Sequence, residues 1–376
     1  MNSRPVIGVV GLGTMGLGIA QTFAQAGLKV LATDKAETSR NLATKLLETS
    51  LLARVKAGKM AEQELDDIMN RLIIVDDMDA FANTDLIIEA IIETIEAKKS
   101  LFEALETIVS PHTILATNTS SLSVAAIAKG LRYGQRVIGL HFFNPAPIMK
   151  LVELIAWEQT NTTTIKIAGD WTRACGKTVI ACKDRPGFIV NRCARPFYGE
   201  ALALLEEGRS ACDIDAAMLS AGYRIGPLSL IDLVGADINL AATQSLAKAM
   251  NNHPRYAVFD VLKDHVKKGR LGRKSGQGFL FPVQPQQPPD DSQMIIERIE
   301  ATLVNEACYL LGEGGISEDD IDTAIKLGLN FPRGPFEIAR SVGFGYIKSV
   351  LDKCAATAKV KLSGRYDIAP ALLSKI

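Results

Sequence analysis

The stretch from Val6 to Gly27 constrains this 376-residue chain more than any other. A β-branched run, Val6 to Val10, leads directly into Gly11-Leu-Gly13-Thr14-Met15-Gly16, and an apolar-periodic segment follows to Gly27. Strand, glycine turn and helix in that order are the setting in which G-x-G-x-x-G holds a dinucleotide. The first glycine permits the tight turn, the second lets the backbone approach a pyrophosphate, and the third lets helix and strand pack closely. Unpaired N–H donors and partial positive charge at the helix start favour the phosphates. A glycine-rich turn with no ligand is the plainer alternative, and Asp34 argues against it. Asp34 ends the second β-branched run 18 residues after Gly16, near the spacing at which an acid accepts ribose hydroxyls and repels a 2′-phosphate. NAD is therefore favoured over NADP, although Lys35 and Arg40 weaken the preference, and Asp34 can instead cap the following turn.

The first half of the chain continues the same alternation. Val6–Val10, Lys29–Thr33, Leu72–Val75, Leu86–Glu89, Thr113–Thr117 and Val137–Leu140 read as strands, too apolar on both faces for a half-exposed sheet. Ser39 to Lys56 reads as a helix, with Leu42, Leu46, Leu47 and Val55 near the 3.6 period. An α/β Rossmann-type doubly wound domain with a parallel sheet is expected. After Pro186 the pattern becomes helical, over 194–207, 214–220 and 228–248. Four of the eight residues from 282 to 289 are proline, which reads as an extended linker.

Beyond the linker the chain repeats itself. Glu200-Ala-Leu-Ala-Leu-Leu, Asp213-Ile-Asp215 and Gly226-Pro227 recur as Glu306-Ala-Cys-Tyr-Leu-Leu, Asp320-Ile-Asp322 and Gly334-Pro335. Two tandem all-α units are therefore expected after the α/β domain. The boundaries are 1–182 for the nucleotide-binding domain, 183–281 for the first helical unit, 282–292 for the linker and 293–376 for the second. That division agrees with a length equal to about 2.5 average domains.

Composition removes other function classes. Lys plus Arg equals Asp plus Glu at 42 each, which disfavours a nucleic-acid binder and points to a small-molecule partner. An apolar fraction of 47% rules out whole-chain disorder. No apolar run reaches the roughly 20 residues of a membrane helix, and the glycines after Gly11 do not suit a signal peptide. Six cysteines without C-x-x-C spacing read as thiols in a reducing cytoplasm, with no metal site.

His141-Phe-Phe-Asn144-Pro145-Ala-Pro147 follows a strand, where open α/β sheets place their ligands. A histidine beside two phenylalanines can be a packed core residue. Glu153, on the next apolar run, makes a proton-transfer role the sharper reading, because a carboxylate on one ring nitrogen leaves the other to exchange a proton. Ser120, after another strand, can donate to a developing oxyanion or cap a helix.

Five ordered motifs carry a resemblance from residue 5 to about 281. Gly11-Leu-Gly-Thr-Met-Gly16, Asn118-Thr-Ser120-Ser-Leu, His141-Phe-Phe-Asn-Pro, Pro186-Gly-Phe-Ile-Val-Asn191-Arg and Gly269-Arg-Leu-Gly-Arg-Lys274-Ser-Gly-Gln-Gly-Phe resemble the L-3-hydroxyacyl-CoA dehydrogenase family, and the second helical copy resembles its bacterial tandem members. The resemblance implies NAD-dependent oxidation of an acyl-CoA substrate in fatty-acid or aromatic-acid β-oxidation. It implies His141 as base with Glu153 orienting it, Ser120 and Asn191 on the reacting oxygen and thioester, and Asn144 near His141 and the nicotinamide. Gly11, Gly13, Thr14, Met15, Gly16, Asp34, Glu93, Lys98, Ser120, Asn144 and Lys274 would bind NAD. Ser50 and Lys56 would meet coenzyme A, although Ala57 falls at the directly aligned position. The site would lie between domains, and closure could gate water.

In the repeat's register Asn191-Arg192 aligns with Glu297-Arg298, so the second copy lacks the substrate-facing asparagine. It is expected to pack on the first as a stand-in for a dimer partner, giving a monomer, with a homodimer through other faces as the alternative. Gly222–Gly226 is shorter than Gly328–Gly334. An L-gulonate-type dehydrogenase and a non-catalytic NAD-binding scaffold are the competing functions, and a local basic patch for coenzyme A phosphates is expected under the zero net charge. Replacing Asp34 by Ala with Arg in place of Lys35 should move the ratio of kcat/KM for NAD over NADP toward NADP; an unchanged ratio would leave Asp34 a turn cap alone.

Overall fold

The computed structural model describes residues 4–376. They form two compact units that meet in sequence between Arg185 and Pro186, rather than at 182. Among the described residues no helix is long and apolar enough to cross a membrane.

The first unit runs β1 (Val6–Val10), α1 (Thr14–Gln25), β2 (Lys29–Thr33), α2 (Glu37–Lys56), α3 (Glu62–Arg71), β3 (Leu72–Ile74), β4 (Leu86–Glu89), α4 (Ile95–Ile108), β5 (Ile114–Thr117), α5 (Val124–Ala128), β6 (Val137–Phe142), β7 (Leu151–Ala156), α6 (Thr162–Ala174) and β8 (Thr178–Lys183). The sheet order is β3-β2-β1-β4-β5-β6-β7-β8, and the first six strands are parallel. Strand order reverses between β1 and β4, which creates a crevice at their carboxyl ends, the ligand position of open α/β sheets. Every residue of β4 and β5 is buried, as continuous apolar runs between two helical layers require.

Two features depart from the all-parallel expectation. Strand β7 pairs antiparallel with β6, and β8, parallel to β7, closes the edge. A parallel neighbour needs a crossover of a dozen or more residues, and only residues 143–150 separate β6 from β7. The chain must turn straight back. Strand β8 escaped sequence notice because its edge position exposes Thr178, Ala181 and Lys183, breaking up the apolar signal.

The second unit begins with α7 (Val190–Cys193), α8 (Arg195–Glu206), α9 (Ala211–Ser220), α10 (Pro227–Val234), α11 (Ala236–Ala249) and α12 (Asp260–Lys267), and continues with α13 (Ser292–Gly312), α14 (Glu318–Leu329), α15 (Pro335–Val342) and α16 (Phe344–Thr357). The single helix expected over 228–248 is two, broken at Gly235 with φ of 110°; that backbone conformation suits glycine and interrupts helical hydrogen bonding. Each repeat uses the same internal brace. Asp215 accepts the amides of Leu228 and Ser229 at 2.9 and 2.8 Å, and Asp322 those of Phe336 and Glu337 at 2.7 and 3.0 Å. In both, a carboxylate satisfies the orphan donors at the start of a Gly-Pro helix.

The two repeats join through ion pairs that are reciprocal under their register. Arg192 donates to Glu306 at 2.8 Å and to Glu313 at 2.6 Å; Arg298 donates to Glu200 and Glu207, both at 2.6 Å. The pattern extends outward, since Arg255 and Tyr256 reach Glu306 while Arg365 and Tyr366 reach Glu200. Residue i touching j′ while i′ touches j is the signature of a two-fold interface, here contained in one chain. Burial alone would raise the Glu200 pKa, but Arg365 and Arg298 outweigh it and hold the carboxyl below its ordinary range. Arg192 and Glu306 are each 1% exposed. Arg192→Met should therefore lower unfolding free energy by about 1.5–3 kcal/mol in urea denaturation, because the buried Glu306 carboxylate loses one charged donor while keeping Arg255 and Tyr256.

Candidate active site

The crevice is floored by the turn after β1. Val10 pairs with Glu89 at the ends of β1 and β4, and Gly11 follows with φ of 100°. A Cβ on Gly16 would stand 1.8 Å from the Gly11 carbonyl oxygen, so helix and turn can touch only through glycine. At Gly13, the N-cap of α1, a Cβ would meet nothing within 4 Å, and no side chain caps the helix. The first amides of α1 therefore face open space, as a diphosphate requires. Thr14 is exposed beside them, while Met15 is half-buried and packs against the core.

Asp34 accepts the amides of Leu12 and Ala36, both at 2.8 Å. It thus caps the turn, as the alternative reading held. Each carboxylate oxygen retains acceptor capacity for a ribose hydroxyl, so the two roles are compatible. The residues present fit NAD: an uncapped helix start, a side-chain-free cradle and an acid one strand away.

A carboxylate network stiffens the ends of β4 and β5. Glu89, fully buried, accepts Lys98 Nζ at 2.5 Å, Thr117 Oγ1 at 2.8 Å and the Ile91 amide at 2.7 Å. Lys98 also lies 3.2 Å from Glu93. Glu93 in turn accepts Thr119 Oγ1 at 2.7 Å, the Ser120 amide at 2.8 Å, Ser120 Oγ at 3.2 Å and Ser121 Oγ at 3.1 Å. Burial would raise the Glu93 pKa, but Lys98 and these donors outweigh it and keep the carboxyl below its usual range. Lys98 is 1% exposed and holds Glu93, which holds the Ser120 loop. The cap of α5 is Ser123, whose Oγ accepts the Ala126 amide at 3.2 Å, not Ser120. Glu89 and Thr117 were not singled out from sequence, yet an acid ending a wholly apolar strand was itself the signal that a buried partner exists.

His141 and Glu153 face each other across the β6–β7 ladder. Their Nδ1 and Oε2 atoms are 2.6 Å apart, and the residues are 6% and 0% exposed. A hydrogen bond to Glu153 fixes Nδ1 as the donor and makes Nε2 the basic nitrogen. The Phe143 ring packs against the imidazole at 4.5 Å, and the Phe142 amide donates to Asn118 Oδ1 at 2.8 Å, tying the end of β6 to β5.

A cavity of about 510 Å³ lies beside the glycine turn, walled by Gly13, Thr14, Leu46, Ser50, Arg54 and Asn144. Ser50 is on its wall and Lys56 is not. One helical turn puts Arg54 on the face of Ser50, whereas six positions turn Lys56 away, so the cation of this wall is Arg54, which sequence reasoning missed although the i, i+4 spacing was there to read. Asn191 and Lys274 belong to the second unit. Asn191 sits in α7 after a turn with positive φ at Gly187 and Phe188, and Lys274 is ion-paired with Asp237 at 2.5 Å.

Comparison with known proteins agrees with this geometry. Residues 6–185 match the 3-hydroxyacyl-CoA dehydrogenase NAD-binding domain, and residues 187–281 and 294–375 each match the C-terminal domain of the same family. The chain is 34% identical to a 3-hydroxyadipyl-CoA dehydrogenase of Escherichia coli, covering 92% of each, and 39% identical to human mitochondrial hydroxyacyl-coenzyme A dehydrogenase over 72% of this chain and 89% of that one. The crystal structure of an E. coli 3-hydroxybutyryl-CoA dehydrogenase superposes with a TM-score of 0.92 at 32% identity, covering 99% of this chain and 98% of that one. With a dinucleotide crevice, a histidine–carboxylate pair and both family domains in order, the chain belongs to the 3-hydroxyacyl-CoA dehydrogenase family and is an NAD-dependent oxidoreductase of hydroxyacyl-CoA substrates.

Proposed function

We propose that His141 Nε2 is the base that takes the 3-hydroxyl proton of an L-3-hydroxyacyl thioester. The observation that carries this reading is the 2.6 Å pairing of its other nitrogen with the buried Glu153. Bound NAD supplies the acceptor for the hydride that leaves C3. As the C–H and O–H bonds break, the ketone forms and the proton stays on His141, where the Glu153 carboxylate stabilises the imidazolium. The same imidazolium serves as acid in the reverse direction. Gly13 and the amides of α1 hold the diphosphate, Asp34 the ribose, and Asn144 the nicotinamide side. Ser120, fixed by Glu93, donates to the reacting oxygen, and the family resemblance supports Asn191 as a substrate residue and Lys274 as a cofactor residue.

Ser50 and Arg54 take the coenzyme A moiety, with Arg54, rather than Lys56, supplying a phosphate contact. Short-chain and carboxyl-terminated acyl groups are the proposed substrates, since the relatives matched over nearly the whole chain are named for hydroxybutyryl and hydroxyadipyl thioesters. The reciprocal Arg–Glu pairs support a monomer, because one chain supplies both halves of a two-fold interface. Six cysteines that form no disulfide suit the reducing cytoplasm.

His141→Gln should keep NAD affinity, read by fluorescence titration of NADH, while kcat falls by about 10²–10⁴-fold, the usual worth of a general base; an unchanged rate removes His141 from the chemistry. Arg54→Ala should raise KM for acetoacetyl-CoA by about tenfold, the worth of one charge-assisted hydrogen bond. It should leave KM for acetoacetyl-pantetheine, which lacks the nucleotide phosphates, unaltered. Lys56→Ala should change neither.

A further inference from the structure

Lys177 stands directly before β8 and is 7% exposed. Its Nζ donates to the carbonyl oxygens of Ala146 at 2.5 Å and Met149 at 2.9 Å, and no carboxylate pairs with it among the described residues. A buried ammonium is costly to keep charged. Burial first, and the neighbouring Lys150 second, push its pKa down to about 8, with Cys175 acting weakly in the opposite sense. Nothing in the sheet needs a cation there, since β7 and β8 pair through their own backbones. A perturbed, buried titratable group without a structural counter-ion is a candidate for a functional task.

The two carbonyls it holds point to that task. They belong to the segment between β6 and β7 that begins two residues after His141 and contains Asn144, and the amides of Ile148 and Met149 close onto the Pro145 carbonyl at 3.0 and 2.9 Å. From the opposite side the segment rests on α1. A Cβ on Gly18 would come within 3.3 Å of Ala146 Cβ and 3.2 Å of Pro147 Cδ, so helix and loop are in direct contact. The loop therefore forms one wall of the cavity whose other wall is the glycine turn and α2. Lys177 is the tie that keeps that wall against α1.

We propose that Lys177 is a positioning residue for NAD, acting through the 144–149 loop rather than by touching cofactor or substrate. This rests on the proposed assignment of the glycine turn and Asn144 to the bound dinucleotide. With the tie cut, Asn144 loses its fixed distance from the α1 N-terminus, and the cofactor is held less well. The His141–Glu153 ladder pair lies outside the loop and remains intact.

The test is steady-state kinetics of the full-length protein with 3-hydroxybutyryl-CoA and NAD, comparing wild type with Lys177→Met, Lys177→Gln and Lys177→Arg. Lys177→Met should raise KM for NAD by about tenfold through loss of charge-assisted donors, with a smaller change in kcat and the apparent pKa of the kcat profile in place. Lys177→Arg, which keeps charge and donors, should recover most of the affinity. A wild-type KM for NAD in Lys177→Met, with only a lower melting temperature, overturns the proposal and leaves Lys177 a structural residue. Should the Met variant fail to fold, Lys177→Gln decides: a KM for NAD at least threefold above wild type supports the role, and an unchanged KM rejects it. Wild-type protein that does not turn over NAD would instead reject the assignment of the cavity, whatever the variants do.

Discussion

The antiparallel pairing of β6 with β7 is the constraint on which the proposed chemistry depends. Residues opposite each other in a ladder share a face of the sheet, and the register that joins Gly139 to Ile155 also sets His141 against Glu153. No flexible loop has to find this arrangement; it is a consequence of strand pairing inside a core. The same reversal produces the 143–150 connection, brings Asn144 to the wall of the cavity and leaves that loop in reach of Lys177. The proposed base, its orienting acid and one wall of the proposed cofactor site thus follow from one change of strand direction.

A second constraint operates in the helical unit. Arg192 with Glu306 and Arg298 with Glu200 are two copies of one contact, each desolvated and each completed by a tyrosine and a further arginine. Pairs of this kind give less net stability than their short distances suggest, because desolvation offsets most of the Coulomb attraction. Their value lies in specificity: the guanidinium fork accepts one geometry, so the repeats meet in one orientation. The second repeat has Glu297 where the first has Asn191, yet it retains the arginine next in sequence, so interface and site have been kept separately.

Several features are legible in the sequence alone. The glycine turn, the six parallel strands, the helical repeat and the His141–Glu153 pair were all read from residue type and spacing. Others were not, for particular reasons. Strand β8 lies at the sheet edge, where exposure disrupts the apolar pattern. The Lys98 side chain is drawn inward by Glu89 and Glu93, and nothing in the local sequence shows that direction. Arg54 and Lys56 are both cations on α2, and only the location of the cavity tells which faces it. Gly235 splits a helix that periodicity alone continues.

What the sequence determined by itself is what the backbone decides locally: glycines where close approach or positive φ demands them, apolar periodicity that separates strand from helix, prolines that keep a connecting segment out of helix and sheet, and a repeat that declares two copies of one fold. What only the tertiary structure decided is which charges lie together. Glu89 with Lys98, Lys177 with the 144–149 loop, and Arg192 with Glu306 are separated in sequence by 9, about 30 and 114 residues. Charge pairing carries no periodic signature along the chain; it depends on strand register, helix rotation and burial, which exist only once the core has formed.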